Sequence, residues 1–136
     1  MKASSTTVIA LVTGIALGAL CAHTLQAQPK QIERKQVLKT DLMGLGGKEG
    51  LILTATIPVG EHGGKHYHPG HELTYVIEGA GVLMIDGRLP MELKAGDAVY
   101  LPPSAIHDAK STGSVPLKVV AFWIAEKGKP YTVPVP

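Results

Sequence analysis

The strongest constraint on the fold is how often the apolar pattern is interrupted. Short runs of branched and apolar residues, at 51–57, 72–77, 82–85, 98–101 and 117–125, are each stopped by turn-forming sequence: GLGGKEG at 44–50, Pro58 to Gly64, Glu78-Gly79-Ala80-Gly81, Lys94-Ala95-Gly96-Asp97 and Pro102-Pro103. No segment sustains a helical period, so the chain reads as an all-β sandwich or barrel of many short strands. With 136 residues it has room for one domain, and no solenoid-type repeat is present. The pair Asp86-Gly87 between two apolar runs predicts a type I′ hairpin turn, because both central residues of that turn need positive φ. Pro90 weakens the returning strand or places it at an edge. Residues 32–42 are expected to be extended, and the tail 126–136 is polar and proline-bearing.

The first 27 residues stand apart. Lys2 precedes the uncharged run Val8 to Leu20, and small and polar residues follow as far as Ala27, the pattern of a secretory signal peptide. That run is about 13 residues long, shorter than a helix needs to cross a bilayer. A retained amino-terminal anchor is the alternative. Leu20 stands before Cys21 where lipid attachment would need a small residue, and there are no paired arginines, so export by the general pathway to the periplasm or beyond is expected, with no membrane attachment after cleavage. The expected division is therefore 1–27 as signal peptide and 28–136 as the mature domain, with a β-core at about 50–125. Removing 1–27 takes Lys2 and Cys21, leaving 12 of 13 basic residues against 11 acidic ones and no thiol. Disulfides, thiolate metal sites and cysteine nucleophiles are thereby excluded from the mature form. Near-neutral charge without basic clusters argues against nucleic-acid binding.

Chemistry concentrates in Gly60 to Gly79, GEHGGKHYHPGHELTYVIEG, which holds four of the six histidines. Residues two apart on a strand share a face, so His66 and His68 can reach one point while Tyr67 faces away. Pro69-Gly70 bends the chain, and Glu72 has the right parity to bring a carboxylate to the same place. His107, beyond the Pro102-Pro103 turn, is the candidate fourth ligand of a metal site. On spacing alone, a solvated histidine loop explains His66 and His68 equally well. The glutamate and the distant His107 favour the metal site. His71 has the opposite parity and His62 sits among glycines, so both are expected at the rim or in solvent. Thr74 and Val76 share the face of Glu72, and Ala105 and Ala109 that of His107. For Tyr75, Tyr100, Phe122 and Trp123 core packing is the default, and a place in a substrate cavity the alternative. Ser104 near His107 lacks a nucleophile-elbow motif, and GLGGKEG lacks phosphate-loop spacing.

The same stretch resembles the first signature of the cupin family: Gly60, five residues, His66-x-His68, three residues, Glu72, six residues, Gly79. The second signature is met at Gly96, Pro102 and His107, with Ser104 where glycine is usual and Ser111 where asparagine is usual. The chain is thus similar to small, single-domain secreted cupins. The resemblance implies a jelly-roll β-barrel holding one divalent transition metal, Mn, Fe, Co, Ni, Cu or Zn, through His66, His68, Glu72 and His107. It implies an enzyme acting on a small organic substrate, with dioxygenase, isomerase, decarboxylase and lyase chemistries all within the family's range. A dioxygenase-like reaction on a small phenolic or carboxylate compound is the specific expectation. A non-catalytic metal- or ligand-binding protein and a purely structural metal site are the alternatives. The resemblance also implies a homodimer paired through edge strands, to which the tail PYTVPVP contributes.

Overall fold

The computed structural model describes residues 30–136; the signal-peptide expectation falls on residues outside that range. Ten strands and no helix make up the described chain: β1 (Glu33–Asp41), β2 (Lys48–Ile57), β3 (His66–Tyr67), β4 (His71–Glu78), β5 (Ala80–Ile85), β6 (Met91–Lys94), β7 (Ala98–Leu101), β8 (His107–Ser111), β9 (Leu117–Glu126) and β10 (Val133–Pro134). They form two five-stranded antiparallel sheets, ordered β1-β2-β9-β4-β7 and β10-β3-β8-β5-β6. This is the all-β jelly-roll expected from the sequence.

Period-two alternation decides which residues meet between the sheets. Along β9 the odd-numbered Leu117, Ala121, Trp123 and Ala125 are buried, and along β4 the even-numbered Glu72, Thr74 and Val76. One core cluster joins Ile57, Val76, Leu83, Leu93, Leu101 and Leu117, while a second joins Leu51, Ala121, Trp123 and Ala125. Trp123 is therefore an inner-wall residue. Tyr75, Tyr100 and Phe122 are neither core nor cavity: they project from the outer face of their sheet, 45%, 52% and 42% exposed. Each lies at a parity opposite to that of its strand's buried residues.

Close strand packing explains one glycine of the histidine stretch. A Cβ at Gly70 would collide with the Ile124 carbonyl of β9, so only glycine lets the chain turn from β3 into β4 so near that strand.

One local expectation is corrected, and two further local features bear on the site. Between β5 and β6 only Gly87 has positive φ, 76°, and Asp86 does not, so the type I′ turn does not form. Arg88 N–H donates to the Ile85 carbonyl at 3.0 Å, and the chain runs on through Pro90 before β6 begins. In the tail, Val133 and Pro134 pair with Tyr67 and His66 of the same chain. Finally, Ser104 takes φ of 64°, so the turn keeps the left-handed conformation of the usual glycine although a side chain is present. Its N–H donates to the His68 carbonyl at 2.7 Å, which ties that turn to the histidine loop.

Candidate metal centre

His66 lies on β3, His107 opens β8, and the two are directly paired across the strands. His68 follows β3 just beyond its end, before the Pro69-Gly70 bend. One ligand nitrogen from each of His66, His68 and His107 lies within 4.8 Å of the other two. Ring centroids are 4.8 Å apart for His66 and His68, 4.4 Å for His66 and His107, and 5.2 Å for His68 and His107. Three imidazoles so close would repel if charged, whereas neutral rings can turn their inner nitrogens on one ion.

The outer nitrogens say which atoms face inward. His66 Nδ1 lies 2.5 Å from the Gly64 carbonyl, His107 Nδ1 2.9 Å from the Ala105 carbonyl, and His68 Nδ1 2.6 Å from the Tyr131 carbonyl. A carbonyl only accepts, so each Nδ1 carries the proton and Nε2 of the neutral ring keeps its lone pair for a metal. Burial lowers the pKa of both His66 and His107, opposed in each by the backbone carbonyl it bonds. The neutral, ligating form is thereby favoured.

Glu72 enters from β4 in the opposite sheet. Its Oε1 accepts from the Thr74 hydroxyl at 2.5 Å, which fixes the carboxylate. Its Oε2 is buried, lies 2.8 Å from His68 Nε2 and 3.8 Å from His107 Nε2, and has no hydrogen-bond partner. Burial raises its pKa, but the His68 ring, when it also carries a proton on Nε2, and the Thr74 hydroxyl outweigh that effect and hold it below the ordinary carboxylate value. An orphaned anionic oxygen beside inward-facing imidazole nitrogens is the donor set a divalent transition metal satisfies. The residues present fit the group that the resemblance implies.

Around these residues is a cavity of about 90 Å³ whose walls are mainly apolar, with Leu53, Val99, Ala121 and Trp123 among them. Thr74 and Ala109 line it as their parity predicts. Ala105 contributes its carbonyl instead. His62 and His71 point elsewhere: His71 Nδ1 meets the Tyr100 hydroxyl at 2.8 Å, and His62 Nδ1 meets Asp108 Oδ2 at 2.8 Å. Ser111, where asparagine is usual, is fully buried, and its backbone bonds Gly60 and Glu61.

Of two residues that support the site, Trp123 takes the cavity place that the sequence left as the alternative to core packing, and Tyr131 was beyond sequence reasoning. The Trp123 ring packs on His68 with centroids 4.6 Å apart. Tyr131, in the tail, stacks on Trp123 and donates its hydroxyl to buried Glu49 at 2.6 Å, and Lys39 Nζ reaches the other Glu49 oxygen at 3.2 Å. This anchor holds in place the carbonyl that orients His68. A β-bulge between Gln36 and Leu38 makes it possible, since it changes the parity of β1 so that Lys39 faces inward.

Comparison with known proteins agrees with this geometry. Residues 53–124 match the family model of the cupin domain, and the chain belongs to the cupin family. An uncharacterized protein of Methanocaldococcus jannaschii is 36% identical over 70 residues, 51% of this chain and 55% of that protein, so the chain spans about half the length of the curated relatives it matches. Among solved structures, a Klebsiella pneumoniae protein with a double-stranded β-helix domain superposes with a TM-score of 0.64 at 21% identity, covering 78% of this chain and 85% of that one. DMSP lyase DddQ of Ruegeria pomeroyi superposes at 0.58 with 21% identity, covering 63% and 43%. At these identities the likeness shows the fold.

Proposed function

We propose that this protein is an exported, mononuclear metal-dependent cupin that acts on a small organic substrate, with His66, His68, His107 and Glu72 as the protein ligands. The observation that carries the reading is the arrangement of the three imidazoles. Each spends Nδ1 on a backbone carbonyl and turns Nε2 toward the others, beside a buried Glu72 oxygen that nothing else satisfies.

A bound divalent ion would supply Lewis-acid polarisation of a substrate oxygen or, for a redox metal, activation of O2. The chain itself favours the neutral form of His66 and His107, fixes the Glu72 carboxylate through Thr74 and surrounds the substrate with apolar walls that exclude water. Catalysis of the dioxygenase type, occurrence in the periplasm or outside the cell, and homodimer formation are parts of the same proposal. Solved proteins of this shape include DMSP lyase DddQ of Ruegeria pomeroyi, which keeps lyase chemistry as a specific alternative within the enzyme reading. A binding protein that does not turn its ligand over is the second reading. It is favoured by walls that offer no carboxylate or imidazole beyond the four candidate ligands.

Elemental analysis of the purified protein, followed by oxygen uptake with phenolic, keto-acid and simple carboxylate compounds, tests the proposal. One metal per chain and turnover of a compound support the enzyme. One metal per chain with tight binding but no turnover supports the binding protein. Because affinity for such ligands rises towards copper, copper or zinc should displace manganese or iron in a competition titration.

A further inference from the structure

Arg34 is unused by the metal centre and stands at its cavity. It shares the inward parity of β1 with Ile32, and both line the cavity. It pairs across the sheet with Ala55, another wall residue. The β1 bulge lies beyond it, so its direction is set by plain alternation from Ile32. Its Nη2 donates to the Gly63 carbonyl at 3.0 Å, while Gly63 N–H donates to the Ala109 carbonyl at 2.7 Å. That contact uses one of five guanidinium donors. Among the described residues no carboxylate pairs with Arg34, so its remaining donors are free for a ligand.

We propose that Arg34 is the anion-recognition residue of this site, and that the substrate or ligand is a small carboxylate with an apolar body. The inference rests on the metal reading above and narrows it, setting phenols aside. A divalent ion against the single Glu72 carboxylate would leave one net positive charge between the sheets, and the exposed Arg34 adds a second at the edge of the cavity. An anionic ligand bridging the two offsets one of these charges, and a neutral one offsets neither. The free edge of a guanidinium matches a carboxylate in two parallel hydrogen bonds, and the aliphatic wall takes the remainder of the molecule. Arg34 therefore selects by charge, while the walls select by size.

The test compares propionate, its neutral isostere propionamide, and phenol as ligands of the full chain, in the unsubstituted protein and in the Arg34→Gln and Arg34→Lys variants. Cobalt-loaded protein is read by its visible absorption bands. Metal-free protein is read by fluorescence of Trp123, the chain's sole tryptophan and a wall residue. The expected result is propionate binding at least tenfold tighter than propionamide or phenol, with that preference largely lost in Arg34→Gln, partly kept in Arg34→Lys, and cobalt content equal in all three. An unchanged preference in Arg34→Gln overturns the proposal. So does loss of cobalt by Arg34→Gln with no change in preference, since Arg34 would then only brace the Gly63 loop beside His66. Failure of the unsubstituted protein to hold cobalt would instead overturn the metal reading, and the fluorescence comparison in metal-free protein would still decide the role of Arg34.

Discussion

His66 and His107 are oriented from within their own loops, and His68 from the far end of the chain. The first two bond the carbonyl two residues earlier, Gly64 and Ala105, so the turn that presents each imidazole also aims it. His68 bonds Tyr131, 63 residues away, whose position depends on Glu49, Lys39 and the pairing of β10 with β3. Two-thirds of the histidine site is thus locally encoded, while the last third waits for the tail to close over Trp123.

The largest expected effect treats the two kinds of ligand as equals. His68→Ala and His107→Ala should each lower metal affinity by more than ~100-fold, beyond the ~10–100-fold typical of losing a group that only orients a ligand. Retention of metal by His68→Ala alone would show that the remotely held imidazole is dispensable. Next comes the tail. Deleting residues 131–136 removes the partner of His68 and leaves those of His66 and His107, so affinity should fall by ~10–100-fold while the barrel still melts cooperatively. Equal affinity in the truncated and full chains, measured by competition with a chelating dye, would remove the distinction.

The locally held pair has its own signature in pH. Burial lowers the pKa of His66 and His107 below the ordinary value, so the unfolded chain binds more protons than the folded one between the lowered values and about 6.5. Stability of the metal-free protein is therefore fully present above about pH 6.5 and declines as the pH falls below it. Glu72, whose pKa is also lowered in the fold, adds a loss at more acid pH, as its carboxylate is protonated. Chemical denaturation at a series of pH values should show both phases. His66→Gln with His107→Gln should remove the one nearer neutrality.

The smallest effect concerns the turn beside His68. Ser104 occupies a left-handed conformation at φ of 64°, which costs an L-residue about 1–2 kcal/mol, partly offset in glycine by its greater freedom when unfolded. Ser104→Gly should raise stability by up to ~1 kcal/mol without changing metal affinity. A drop in affinity would mean that the Ser104 side chain also constrains His68.

The same division between local and remote explains what could be read in advance. Gly and Pro turns between short apolar runs are local signals, and they give the β class and most strands. The spacing of His66, His68 and Glu72, with His107 beyond a Pro-Pro turn, is likewise legible because parity and loop chemistry act over a few residues. The type I′ expectation at Asp86-Gly87 failed because the connection runs on to β6 beyond Pro90, so the pair does not close a two-residue hairpin. Tyr75, Tyr100 and Phe122 are large and aromatic, yet their parity, fixed by Glu72 on β4 and Trp123 on β9, turns them outward. Nothing near Tyr131 in the sequence links it to His68. That link depends on the register of β10 against β3 and on a bulge in β1 that no composition reveals.

The central claim, a single metal ion bound by three histidines and one glutamate, is tested most directly by an anomalous-scattering crystal structure of the cobalt-loaded full chain. The account predicts one strong peak per chain, within bonding distance of Nε2 of His66, His68 and His107 and of a Glu72 carboxylate oxygen. A peak on the outer histidines His62 or His71, or none between the sheets at full cobalt loading, would contradict it.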